Sequence, residues 1–276
     1  MTSADDTPVP RFADRLRLDG RGFIVVGAGL GMGRQTAHAL AQQGARVLCV
    51  DIDGERATEV AAEVGGIACV ADGRERADVN GIVEQAIAEF GVLNGVVDIV
   101  GMARWSRLVD TSDEEREWVF GMVFDHAFLL AQIAGAAMSE SGGGTMVFVA
   151  SISGVRTAPF HAAYGAAKAA LLSLVRTASL ELAPRKIRVN AVVPGAVNTP
   201  RMQAMAAARG EVNAPVDTRL TPLAKLAETS DLASAILFLS SDLAGQITGQ
   251  ALAVDGGALQ TLYDTETLGG SMGLTL

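Results

Sequence analysis

The stretch Phe23-Ile24-Val25-Val26-Gly27-Ala28-Gly29-Leu30-Gly31-Met32-Gly33-Arg34 decides the fold. A short β-branched run passes directly into a glycine-rich turn, and a segment of helical period begins at Arg34. The glycines therefore occupy a strand-to-helix connection. Glycine lets a backbone approach a pyrophosphate closely, and the helix that follows offers unpaired N–H groups and its positive dipole end. The common Gly-x-Gly-x-x-Gly spacing fails, because Met32 falls where its last glycine should stand. Glycine at 27, 31 and 33 fits instead, with Gly29 supernumerary and Leu30 and Met32 between.

Outward from this loop, β-branched runs alternate with Ala-rich segments of helical period. Strands are expected at Phe23–Val26, Arg46–Val50, Gly66–Val70, Gly95–Val100, Thr145–Ala150, Arg188–Val193 and Ala251–Val254. Helices are expected at Gly33–Gln43, Arg76–Phe90, Asp113–Ser139, Ala162–Leu182 and Ser230–Leu239, the last capped by Ser230 and Asp231. This is an α/β pattern, a single-domain, doubly wound parallel sheet of about seven strands with helices on both faces. Pro200–Lys225 breaks the alternation and reads as a substrate lid in preference to a small helical insertion. Residues 1–17 read as a flexible tail, 18–257 as the domain, and 258–276 as an extension that packs, covers the site or frays.

The 276 residues suit one domain, and a net charge of −9 argues against nucleic acid or an anionic membrane as partner. A small molecule is the expected ligand. Cys49 and Cys69 lie in apolar runs and read as reduced core residues, which favours a cytoplasmic setting. Met1–Pro10 lacks the basic start and apolar core of a signal peptide, and no uninterrupted apolar stretch approaches the length of a membrane span. His38, His126 and His161 are scattered without metal-ligand spacing, so no metal is expected.

Asp51 ends the second strand, about twenty residues beyond the loop, where a carboxylate accepts hydrogen bonds from both hydroxyls of an adenosine ribose. A 2′-phosphate would be repelled there, and the following Ile52 and Asp53 supply no arginine, so NAD is the expected cofactor. Asp72 and Gly73, after the third strand, are expected near the adenine. In Tyr164-Gly165-Ala166-Ala167-Lys168 the four-residue separation puts phenol and ammonium on one helical face. The cation, with a positive nicotinamide, is expected to stabilise the phenolate and make Tyr164 a usable acid–base. Ser151 follows a strand at its carboxyl end, where open α/β sheets bind ligands.

Together these residues resemble the classical short-chain dehydrogenase/reductase family, a Rossmann-type fold, from about Leu18 to Gly257. The resemblance implies Ser151, Tyr164 and Lys168 as catalytic residues. It places cofactor contacts at Gly27, Leu30, Gly31, Met32, Gly33, Asp51, Ile52, Asp72, Gly73, Gly101, Tyr164, Lys168, Pro194, Gly195, Val197 and Thr199. Asn190 and Asp255-Gly256-Gly257 match in structural roles. The implied reaction is NAD-dependent hydride transfer between a secondary alcohol and its ketone, in a homotetramer or, alternatively, a homodimer.

The chain departs from the family in three places. Val26 stands where the family carries threonine, and Asp98-Ile99-Val100-Gly101 stands where it carries Asn-Asn-Ala-Gly, which implies a repacked floor beneath the cofactor. The catalytic asparagine of the family aligns with Asp125 when counted from Trp118 and with Val123 when matched at Phe128. Asp125 could serve a water and Val123 could not. Arg104, Trp105, Arg156, Phe160 and His161 are expected near the substrate, in a broad, partly aromatic pocket that suits a hydrophobic, cyclic or anionic molecule. Competing readings are action on a C=C bond, net-neutral isomerisation, or a cofactor-binding protein with impaired catalysis.

Overall fold

The computed structural model describes residues 8–208 and 221–260. Seven parallel strands form one sheet in the order β3-β2-β1-β4-β5-β6-β9. They are β1 Gly22–Val26, β2 Arg46–Asp51, β3 Ile67–Val70, β4 Leu93–Asp98, β5 Gly144–Val149, β6 Ile187–Pro194 and β9 Ala251–Val254. The expected doubly wound sheet is therefore present. Residues alternate between its two faces: Ile24, Val26, Leu48, Val50 and Phe148 enter one apolar cluster. Phe23, Val25, Val47, Cys49, Val97 and Val149 enter the other. Burial on both faces is why these strands read as continuous apolar runs.

The helices are α1 Met32–Gln42, α2 Gly54–Val64, α3 Arg76–Phe90, α4 Asp113–Phe120, α5 His126–Glu140, α6 Ala162–Leu182, α7 Pro200–Ala208 and α8 Thr229–Ser240. A short parallel pair, β7 Val197–Asn198 with β8 Ala227–Glu228, stands apart from the main sheet. The sequence pattern did not expose α2, whose buried face is only Ala57, Val60 and Ala61; Asp53 caps it by accepting from Arg56 N at 3.2 Å. The expected strand Gly95–Val100 begins and ends two residues earlier, because the Asp98 carboxylate accepts from Val100 N at 3.1 Å and turns the chain. The cap of α8 also differs. Glu228 is its N-cap, and Asp231 completes a reciprocal pair by accepting from Glu228 N at 2.9 Å, which leaves Ser230 inside the helix.

One long helix was expected over Asp113–Ser139; instead the segment Gly121–Asp125 between α4 and α5 is a π-turn. Joined, residues 113–140 have the length and mean hydropathy, 1.5, of a membrane span. They pack on α3 and α6, and their buried His126 is paired with the Asp98 carboxylate of β4. Of the expected lid, Pro200–Ala208 is helical and 209–220 lies outside the described residues, as does most of the 258–276 extension. Cys49 and Cys69 are free and buried, and burial pushes the Cys49 thiol up to about 12, which makes it inert. Two signature residues explain themselves structurally. Asn190 bridges to the β9 approach through Gln250 N and the Ile247 carbonyl, and Asp255 accepts from Gly257 N and Leu259 N.

Candidate active site

The glycine loop sits at the carboxyl end of β1, beside the point where strand order reverses between β1 and β4. Gly27 and Gly31 have φ of 80° and 59°, conformations that side chains rarely adopt. A Cβ on Gly33 would stand 1.8 Å from the Gly27 carbonyl oxygen, so only glycine lets α1 approach this closely. The N-cap of α1 is Gly31, which has no side chain to occupy the first-turn N–H groups. Such a cradle fits a pyrophosphate.

Gly29 is not supernumerary. Its N–H donates to Asp51 Oδ2 at 2.9 Å, and a Cβ there would stand 2.7 Å from that same oxygen and from Arg56 Cβ. Asp51 Oδ1 accepts from Asp53 N at 3.0 Å. Each oxygen keeps a second lone pair, which is what two ribose hydroxyls require. An arginine does stand at this corner, because α2 brings Arg56 back to it, but Asp53 holds its guanidinium at 3.2 Å. Leu30 and Ile52 are exposed nearby in sequence.

The Asp72 carboxylate is engaged within its own turn. It accepts from Arg74 N at 3.0 Å and from the Arg74 guanidinium, which holds its pKa below the usual carboxylate value. A Cβ on the neighbouring Gly73 would stand 3.6 Å from Val26. Beyond Pro194, Gly195 packs so tightly on Asp255 that a Cβ would lie 3.0 Å from its Cα. Val197 is buried in β7, and Thr199 Oγ1 caps α7 by accepting from Met202 N at 3.1 Å. Pro200 comes within 3.5 Å of where a Gly31 Cβ would be, so this segment folds back over the glycine loop.

Ser151, Tyr164 and Lys168 converge at the carboxyl end of β5. Ser151 hydrogen-bonds with Tyr164 and also accepts from Ser153 N at 3.1 Å. Lys168 is wholly buried, donates to the Val149 carbonyl at 2.6 Å, and has its ammonium beside Gly101, where a Cβ would stand 2.9 Å from Nζ. Burial is the dominant effect on both titrating groups. It holds Tyr164 above its ordinary value, opposed by Ser151 and by the positive charge of Arg201, and it lowers Lys168 to about 8, opposed by Asp98. The expectation that Lys168 would pull the phenol down is therefore not met in the chain alone. The ammonium is 5.8 Å from the phenol ring centre and is spent on a carbonyl. Arg201, at the start of α7, escaped sequence reasoning because nothing local marks it.

Two of the aromatic residues read as substrate-facing adjoin Tyr164. Trp105 stacks on His161 with ring centres 3.7 Å apart, and His161 lies 5.2 Å from the Tyr164 ring. His161 is buried, bonds Ser153 Oγ through Nδ1 at 3.1 Å, and leaves Nε2 without a partner; burial lowers its pKa. Phe160 is exposed and held at φ 65°. Arg104 lies over the Trp118 ring at 3.9 Å, and Arg156 is exposed on the loop after Ser151.

Of the two positions aligned with the family's asparagine, Val123 is the one that faces inward. It is fully buried and packs with Ala167 and Tyr164, whereas Asp125 is exposed. Beneath lies a pair that sequence reasoning did not join: His126 Nε2 bonds Asp98 Oδ2 at 2.9 Å, with both side chains buried. The signal was faint, two polar residues inside apolar runs.

A family model described as Enoyl-(Acyl carrier protein) reductase matches residues 27–258. The 2,5-dichloro-2,5-cyclohexadiene-1,4-diol dehydrogenase of Sphingobium indicum is 36% identical over 244 residues, covering 87% of this chain and 97% of that protein. The D-threitol dehydrogenase of Mycolicibacterium smegmatis is 32% identical over 249 residues, covering 87% and 94%. A solved 7α-hydroxysteroid dehydrogenase, in complex with NADH and 7-oxo glycochenodeoxycholic acid, superposes with a TM-score of 0.83 at 30% identity, covering 91% of this chain and 99% of that one. Sheet order, glycine loop and relatives agree: the chain belongs to the short-chain dehydrogenase/reductase family, oxidoreductases that work with a nicotinamide cofactor.

Proposed function

We propose that this protein is an NAD-dependent dehydrogenase or ketone reductase acting on a hydrophobic, cyclic or anionic secondary alcohol. The observation that carries the reading is the convergence of Ser151, Tyr164 and Lys168 beside a glycine cradle whose far corner is Asp51. Nicotinamide, when bound, supplies the site that accepts or gives the hydride. The chain supplies the rest. Ser151 holds the substrate oxygen, Tyr164 takes the hydroxyl proton in oxidation and returns it in reduction, and Lys168 holds the cofactor ribose and balances the phenolate. Asp51 takes the adenosine ribose hydroxyls and disfavours a 2′-phosphate. Trp105, Phe160 and His161 form the apolar wall, and a cyclic substrate accords with the names of two relatives, a cyclohexadiene-diol and a hydroxysteroid dehydrogenase.

Val123 at the asparagine position favours one rival, a cofactor-binding protein with impaired catalysis. Purified protein with NAD and cyclic secondary alcohols is expected to turn over, with NADP at least about tenfold poorer, and Tyr164→Phe is expected to abolish turnover while still binding NAD. A variant that keeps turnover, or wild-type protein that binds NAD and oxidises nothing, contradicts the reading, and reduction of an enone at carbon instead transfers it to C=C chemistry.

A homotetramer, or else a dimer, is proposed on the exposed Phe128 of α5, Leu180 of α6 and the open edge strand β9, whose Leu252 is exposed. Light scattering is expected to give the mass of four or two chains; a monomer at micromolar concentration contradicts this.

Lys168 also makes a stability prediction. Its folded pKa is about 8 against 10.5 for a free lysine. Between those values the unfolded chain binds a proton that the folded chain does not, so stability from this group rises with pH there; below both, the full burial cost is carried. Lys168→Met is therefore expected to be more stable than wild type at pH 7, by about 3 kcal/mol, with the gain shrinking as pH rises from 8 to 10.5. A less stable variant at pH 7 in urea unfolding contradicts the assignment.

A further inference from the structure

Beneath the nicotinamide half of the site, a carboxylate and an imidazole are sealed from water and joined to each other. Asp98 ends β4 with 2% of its surface exposed and His126 opens α5 with 1%. Burying two polar side chains this deeply is costly unless each is fully engaged, and here nearly every polar atom has a partner. Asp98 Oδ2 meets His126 Nε2 at 2.9 Å, Asp98 Oδ1 accepts from Val100 N at 3.1 Å, and His126 Nδ1 bonds the Gly121 carbonyl at 3.2 Å.

These partners are the two walls of the active site. Val100 lies under the glycine loop, its Cγ2 3.2 Å from where a Gly27 Cβ would be, and it leads into Gly101, which abuts the Lys168 ammonium. Gly121 opens the π-turn that carries Val123 into a buried cluster with Ala167, on which Tyr164 packs. A π-turn pairs residues five apart and is rare outside functional sites. Here His126, five residues on, returns its imidazole to the carbonyl that opens the turn.

We propose that Asp98 and His126 are positioning residues for the active-site lysine, a buried carboxylate–imidazole unit that holds the Gly101 segment and the π-turn in place and presents its anion to Lys168. Neither touches substrate or cofactor; they act through Lys168 and Tyr164. The pair ties strand β4 to helix α5 at the level of the reacting groups. The electrostatics agree with the geometry, since the Asp98 charge raises the Lys168 pKa against the lowering by burial. Among the described residues, the charged and titrating groups around Lys168 are Tyr164 on its own helix, Asp98 from β4 with His126 of α5 behind it, and Arg201 of α7, whose charge reaches Tyr164.

The kinetic consequence rests on the proposed oxidoreductase reading; the electrostatic one does not. The chain has three lysines, at 168, 186 and 225, so side-chain carbon NMR on protein labelled at lysine follows Lys168 directly, without substrate. Asp98→Asn preserves shape and the Val100 hydrogen bond while removing the anion. It is expected to lower the Lys168 midpoint by about one pH unit and to move the alkaline limb of kcat/KM down with it. His126→Gln removes a ring whose two nitrogens both face oxygen acceptors, an arrangement only the doubly protonated ring satisfies, so the carboxylate loses its counter-charge and the midpoint is expected to move up. Opposite shifts from two variants at one hydrogen bond are not the result of generic loosening. An unchanged Lys168 midpoint in folded Asp98→Asn protein overturns the proposal, as does a shift of the same sign in both variants. Should Asp98→Asn fail to fold, a His126→Gln midpoint that does not rise overturns it. If the midpoints move as stated but no alcohol is oxidised, the pair stands and the proposed reaction falls.

Discussion

A lysine ammonium with no contact with water sets the terms for the rest of this structure. Lys168 lies in the second turn of α6, which packs on one face of the sheet beside β6, and it is held there by the Val149 carbonyl. Its burial depresses its own affinity for a proton, and burial also makes the neighbouring phenol reluctant to ionise. Two groups that each resist charge are thus placed where a charge must be shared. Among the described residues, Ser151, Arg201 and Asp98 counter that resistance. A stability cost concentrated at the chemistry and offset by the surrounding sheet is a common feature of active sites.

The floor under that site has been rebuilt as a unit. With Val26 in place of a hydroxyl and Asp98 in place of an amide, strand-end polar contacts would be missing if nothing else had changed. His126 fills the gap. It satisfies Asp98 on one side and the opened π-turn on the other, and the turn carries an aliphatic side chain, Val123, into the cluster on which Tyr164 packs. The departures at Asp98 and Val123, distant along the chain, meet at His126 and the π-turn it closes.

The main sheet was legible because both its faces are buried, which writes each strand as an uninterrupted β-branched run. The glycine loop and the Tyr164–Lys168 spacing were legible for a similar reason, since sterics and helical period leave few alternatives. What escaped notice depends on contacts distant in sequence. Helix α2 buries mainly alanines and so has weak contrast. Gly29 is required only because Asp51, 22 positions on, closes against it, and Arg56 reaches the same corner only because α2 turns it back. The π-turn is invisible to a count of period, and the Asp98–His126 bond joins residues 28 positions apart.

Side chains that direct a hydride from a carbinol carbon to nicotinamide must pass that hydrogen on without exchange with water. The most direct measurement is isotopic: a cyclic secondary alcohol carrying deuterium on the carbinol carbon is oxidised in ordinary water with NAD, and the reduced cofactor is weighed by mass spectrometry. The account predicts one deuterium on the nicotinamide and none released to solvent. Ketone formed with the label in water, or label retained in an isomerised product, would contradict it.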